Sequence, residues 1–199
     1  MRLRGGNGSP GPHERGAVDV QFTFHTIGHS TRSIHEFVDL LSVGAVSLVV
    51  DIRTVRRSRR NPQYNFDALP ASLAPFGIGY LSIPELGGLR KQAPDTPSCL
   101  NAFWINRSFH NYADYALSDS FRQGLEQLIE AGRREPCSIM CSEAVWWRCH
   151  RRIVADYLIL RGEKVFHLMG KDREEEAVMT RGAEATEAGF LHYPTASKV

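Results

Sequence analysis

Residues 46–53, VSLVVDIR, constrain the fold of this chain more than any other segment. A short run that is aliphatic with almost no polar alternation holds as a strand only where both faces are covered, as inside a parallel sheet with helices above and below. The segments before it agree. Ser33 and Glu36 have capping-box spacing, and Ile34, Phe37, Val38, Leu40 and Leu41 recur on one face until Gly44, which predicts a helix. Upstream of that, QFTFHTIG mixes aromatic and β-branched residues and reads as a strand ending at Gly28.

The alternation continues downstream. A short helical segment is expected around Phe66 to Phe76, and a third strand in GIGYLSI that runs into the turn at Gly87 and Gly88. Residues 90–106 are polar and carry Pro94 and Pro97, so they read as an excursion. SDSFRQGLEQLIEAG places Phe121, Leu125, Leu128 and Ile129 on one helical face, with Gly132 as the expected stop. CSIMC reads as a fourth strand, residues 149–160 as a helix, and KVFHLM as a fifth strand. Strand and helix in alternation predict an α/β fold with a mostly parallel central sheet.

With 199 residues, 42% of them hydrophobic, the chain can bury one sizeable core. Three parts are expected: a Gly- and Pro-rich flexible arm over 1–20, a single α/β domain over 21–172, and a peripheral segment over 173–199. The longest nearly apolar stretch, Val43 to Val50, is far short of the ~20 residues that cross a bilayer, so no membrane partner is expected. No basic segment followed by an apolar one opens the sequence, so a cytoplasmic location is expected, with Cys99, Cys137, Cys141 and Cys149 reduced. A net charge of +2 implies neither nucleic acid nor membrane, so any such case rests on where the charges sit.

Ligands of an open parallel sheet bind beyond the carboxyl ends of its strands. The expected ends are Gly28, His29 and Ser30; Asp51, Ile52 and Arg53; Glu85 to Gly88; and Cys141, Ser142 and Glu143. Each carries a polar group, which is the convergence a functional crevice needs, although loops are polar anyway. After the second strand, Arg53, Arg56, Arg57, Arg59 and Arg60 follow with no carboxylate among them. Such a cluster suits phosphate, or else is a solvated loop paired with acidic residues such as Glu174 to Glu176. In CSIMCSEAVWWRCHRR, a strand end, a loop and a helix N-terminus form an anion pocket. The same field favours a thiolate at Cys149, beside Arg148, His150 and Arg151, with Cys141 as a second functional sulfur or a small core residue. Trp146 and Trp147 pack the loop or stack on a base. Cys137 and Cys99 read as structural. Cys141 and Arg148 are separated by six residues, one more than in the phosphatase loop, which argues against that class.

TIGHS, VDIRTVRRSRRNPQYN, GIGYLSIPELGG, NYADY and MCSEAVWWRCHR, in this order, closely resemble the bacterial domain-of-unknown-function family 488. The resemblance covers about Phe24 to Met169, with one departure at Thr54 and Val55, where many members have a proline nearby. It rests on Gly28, His29, Ser30, Asp51, Arg53, Ser58, Arg59, Pro62, Asn65, Leu86, Gly87, Gly88, Cys141, Glu143, Cys149, His150 and Arg151. It implies a Rossmann-like three-layer α/β sandwich and supplies no agreed reaction.

Three functions compete. The first is an enzyme acting on a phosphate-bearing ligand, a nucleotide or nucleic-acid component, with Cys149 or Cys141 as nucleophile and Glu143, Asp51 or His29 as acid or base. Its ligand-binding residues would be Ser30, Arg53, Ser58, Arg59, Asn65, Gly87, Gly88, His150 and Arg151. The second is a nucleic-acid binding module without catalysis, contacting backbone through the arginine loop and N-terminal arm. The third is a metal or thiol-redox site built from His29, Cys141, Cys149 and His150.

Overall fold

A computed structural model describes residues 21–94, 96–170 and 173–195. The expected N-terminal arm lies outside the described residues. The elements run β1 (Thr23–Gly28), α1 (Ile34–Val43), β2 (Leu48–Asp51), α2 (Leu69–Leu73), β3 (Gly79–Ser82), α3 (Arg107–Tyr115), α4 (Asp119–Arg134), β4 (Cys137–Cys141), α5 (Arg151–Leu160), β5 (Lys164–Gly170), β6 (Arg173–Glu176), β7 (Glu184–Ala185) and β8 (Leu191–His192).

The central sheet has six strands in the order β3-β2-β4-β1-β5-β6, parallel except for β6, and β7 pairs with β8 in a separate hairpin. Its strands feed two cores, as the aliphatic character of β2 requires. Leu48 and Val50 point with Phe24, Ile139 and Val165 into the layer formed by α3, α4 and α5. Val49 points with Ile27, Met140 and Leu168 toward Phe37, Leu40 and Leu41 of α1 and Leu69 and Leu73 of α2. This is the three-layer, Rossmann-like sandwich.

The expected capping box is present: Ser33 Oγ accepts from the Glu36 N–H, and the Glu36 carboxylate accepts from the Ser33 N–H at 2.7 Å. Gly132 does not stop α4, which runs to Arg134; the glycine sits inside the helix against the Phe24 ring. Between the excursion at 90–106 and α4 lies one helix that the sequence reading lacks, α3, capped by Asn106 Oδ1 accepting from the Ser108 N–H at 2.9 Å. Beyond Arg173, β6 lies at the sheet edge, while Leu191 and Tyr193 are buried in the core. Among the described residues, no helix is long and apolar enough to cross a membrane.

The strand ladder continues past the ends of β1, β2 and β4. His29 N–H donates to the Cys141 carbonyl at 2.9 Å, Ser30 N–H to that of Ser142 at 3.0 Å, and Ile52 N–H to that of Met140 at 3.1 Å. These bonds hold the loops after the three strands side by side, which is what builds the site.

Candidate active site

The end of β4 and the start of α5 bring two sulfurs and an imidazole together. The Sγ atoms of Cys141 and Cys149 and a ring nitrogen of His150 all lie within 4.8 Å of one another. His150 Nδ1 is 3.9 Å from Cys141 Sγ and 3.6 Å from Cys149 Sγ. Its Nε2 lies 3.3 Å from the carbonyl oxygen of Ile52, which can only accept. That contact places a ring hydrogen on Nε2 and leaves Nδ1 turned toward the sulfurs. The ring is held from two further directions. Tyr112 meets it edge-on with centroids 5.0 Å apart, and a Cβ at Gly88 would fall 2.3 Å from Nδ1, so only glycine admits the ring there.

The two thiols differ electrostatically. Burial raises the Cys149 pKa, but hydrogen bonding from Cys141 and the neighbouring His150 and Arg151 outweigh it and hold the group well below an ordinary thiol. Cys141 is pushed well above by that same bond to Cys149 and by its own burial. Of the two sulfurs, the negative charge is therefore favoured on Cys149. Arg151 is 1% exposed and fixes this arrangement: its Nε donates to Cys149 Sγ at 3.3 Å and its Nη2 to the Glu143 carbonyl at 2.6 Å. A Cβ at Gly28 would lie 1.8 Å from that same carbonyl oxygen, so the end of β1 touches the loop directly.

Beside the cluster stands Arg53, held by a layer of buried groups. Asp51 Oδ1 accepts from Arg53 Nε at 2.9 Å and Oδ2 from Nη2 at 2.7 Å, and Tyr80 donates to Oδ2 at 2.7 Å. Arg53 Nη2 also donates to the Tyr64 carbonyl at 2.7 Å, and Nη1 lies 3.2 Å from His29 Nε2. His29 donates through Nδ1 to the Ser30 carbonyl at 2.8 Å and stacks on Tyr64 at 4.1 Å. Burial lowers its pKa to about 4, so Nε2 remains an acceptor for the guanidinium at neutral pH.

A cleft of about 300 Å³ opens onto these groups. Of the residues singled out from the sequence, Arg53, Gly88, Cys141, Ser142, Glu143, Arg148, Cys149 and His150 line it. His29 and Asp51 do not; they stand behind Arg53 with their polar atoms turned to it. Ser30 takes a left-handed φ of 50° and joins the β1 end to the β4 loop, and Arg151 supports Cys149 from below. A Cβ at Gly87 would fall 2.5 Å from Thr54 Oγ1, so this glycine lets the β3 turn close on the β2 loop.

The arginine loop is largely directed elsewhere. Arg56 donates to Ser82 Oγ at 2.6 Å, Arg57 pairs with Asp67 at 2.9 Å, and both cover the Phe66 ring. Ser58 and Asn65 shape the loop: Asn65 Oδ1 accepts from the Ser58 N–H at 2.7 Å, and Ser58 Oγ from the Asn61 N–H at 3.1 Å. Arg59 is exposed and does not line the cleft. Of the remaining cysteines, Cys137 is buried, with its thiol pushed up to about 12 by that burial, and Cys99 is exposed.

The sequence reading missed Thr54, Val55, Leu89, Ser108 and Phe109 as cleft residues. Ser108 and Phe109 belong to α3, and the signal that could have found them is Asn106 at N-cap spacing. Trp146 packs rather than faces the cleft, stacking on His167 at 4.5 Å.

A protein-family model described as a domain of unknown function, DUF488, matches residues 33–158. No curated protein and no solved structure matches the chain.

Proposed function

The chain belongs to the DUF488 family, and since that description names no reaction, we propose from the site that it is an enzyme acting on a small phosphate-bearing molecule. The observation that carries this reading is the shared cleft: two cysteines, His150, Glu143, Arg53 and Arg148 line one space of about 300 Å³. Each has a distinct task. Arg53 arrives with its guanidinium already oriented by Asp51, so little freedom is lost when it meets an anion. Arg148 is exposed at the rim and supplies the second cation. The Cys141, Cys149 and His150 cluster is the reacting centre, and Glu143, which lines the same cleft, is the acid or base. His29 and Asp51 are positioning groups for Arg53.

Two features favour a small ligand over a nucleic-acid strand. Arg56 and Arg57 are held by Ser82 and Asp67, which takes both out of an open cationic row. The cleft where these reactive groups and cations meet is walled by Leu89 and Phe109, as suits a compact molecule.

Calorimetry and turnover assays with a panel of phosphorylated metabolites test the proposal. One or more should bind, Arg148→Ala should weaken that binding by about 1–3 kcal/mol, the range for charge-assisted hydrogen bonds, and Cys149→Ala should bind without turnover. Binding that Arg148→Ala leaves unchanged, or turnover that survives Cys149→Ala, overturns it.

A further inference from the structure

We propose that Cys141 Sγ, Cys149 Sγ and His150 Nδ1 are three ligands of a single tetrahedral ion of the zinc class, whose fourth position opens into the cleft. The inference deepens the reading above by naming the cofactor of the same reacting centre.

The distances are the first argument. A tetrahedral ion bonded at about 2.3 Å to sulfur and about 2.0–2.1 Å to nitrogen separates its sulfur and nitrogen ligands by about 3.6 Å, and two sulfurs by about 3.8 Å. His150 Nδ1 lies 3.6 Å from one sulfur and 3.9 Å from the other, and the three atoms fall within 4.8 Å of one another.

Orientation is the second. A metal-bound imidazole almost always donates its other N–H to a fixed acceptor, which sets its tautomer and aims the free lone pair. Here the Ile52 carbonyl is 3.3 Å from Nε2, leaving Nδ1 for the ion. The glycine turn at Gly88 and the Tyr112 ring clamp the imidazole in that pose. Arg151 Nε, 3.3 Å from Cys149 Sγ, supplies the N–H contact that commonly supports a thiolate ligand.

The donor set then selects the ion and its role. Two thiolates and one imidazole are soft ligands that favour zinc over magnesium or calcium, and two thiolates neutralise a divalent charge. Among the described residues, no fourth histidine, cysteine or carboxylate joins the cluster. Three protein ligands with an open fourth position are the pattern of a catalytic rather than a structural zinc. All three ligands line the cleft, with Arg53, Arg148 and Glu143 around the same space. A substrate oxygen or a water would occupy the remaining position, polarised by the ion, while the arginines hold the rest of the anion.

Cobalt(II) titration of the full chain, stripped with a chelator under reductant, tests this directly. One equivalent should bind with tetrahedral visible bands and a thiolate charge-transfer band, and zinc should displace it. Cys141→Ser, Cys149→Ser and His150→Ala should each lose or shift these bands, while Cys99→Ser should not. Alkylation of the unmodified protein needs no variant: zinc should protect Cys141 and Cys149, and leave Cys99 reactive. Octahedral cobalt, unprotected thiols in the presence of zinc, or a Cys141–Cys149 disulfide formed in preference to metal binding overturns the proposal. Turnover of a phosphorylated metabolite by metal-free protein would also overturn it and leave the enzyme reading standing. Tetrahedral cobalt in a protein that binds none of the metabolites supports the ion and overturns the phosphate reading.

Discussion

Of the five arginines that follow β2, Arg53 alone turns into the site, and the reason lies two residues before it. Asp51 closes β2 inside the sheet with 0% exposure, and a carboxylate buried there must find a cation, which Arg53 supplies through two side-chain contacts. Position after a strand end was legible in the sequence. Which arginine would be drawn inward was not, because the decisive partners, Tyr64, Tyr80 and His29, come from three other segments. The same burial fixes a pH response. His29 is held at about 4 by burial, a nearby backbone bond opposing it, and His167 at about 3 by burial and the Arg151 charge, both below the ordinary 6.5. As the pH falls below about 6.5 the unfolded chain takes up protons that these two rings refuse in the folded state. Their effect is therefore absent above that pH, and removes stability progressively from about 6.5 toward about 4. Urea unfolding at pH 7.5 and at pH 5 should show this loss, and His29→Gln should show less of it. An equal loss in the variant would place the acid sensitivity elsewhere.

At the scale of elements, β2, α1 and the strand–loop–helix of β4 and α5 were legible because periodicity, capping residues and local chemistry agree in each. Gly132 is the instructive failure. As a glycine near the end of an apolar stripe it resembles a helix stop, yet it lies inside α4 where the helix crosses Phe24 of β1. Only the packed structure reveals that its missing side chain, and not its backbone freedom, is what the position requires. A Cβ there would sit 2.2 Å from the Phe24 ring, so Gly132→Ala should destabilise the fold by about 1–3 kcal/mol despite alanine's better helix propensity. Denaturant midpoints decide it: a stabilised variant would mean that α4 can move away from β1 without loss. Helix α3 escaped notice for a different reason. Its apolar positions are few and mixed with Asn111 and Asp114, and buried Asp114 is satisfied by Asn101 ahead of the helix, a pairing at 2.8 Å that no periodicity announces.

In the whole molecule, the chain beyond β6 is fastened to α5 by Arg152, Tyr157 and one buried carboxylate. Asp156 accepts from the Thr180 N–H at 2.8 Å and from the Tyr193 hydroxyl at 3.0 Å, although burial raises its pKa to about 6. A carboxyl raised in the folded state costs stability above that pH and recovers it as the pH falls toward the ordinary 3.8, opposite in sign to the histidines. Tyr193→Phe should lower unfolding stability by about 1 kcal/mol and speed hydrogen exchange in the β7–β8 hairpin. Unchanged exchange there would mean that the buried ring, rather than its hydroxyl, holds the segment. The sheet order has a consequence of its own for how such a chain is made. β4 lies between β1 and β2, so the first two strands have no common neighbour until Cys137–Cys141 has been synthesised. Leaving the ribosome, the N-terminal portion carries two apolar strands with open edges, a state in which nascent chains need protection from one another. The segment that closes this gap ends at Cys141, so the strand that joins β1 to β2 also carries the first member of the cluster, and a chain halted before it has neither the joined strands nor the site.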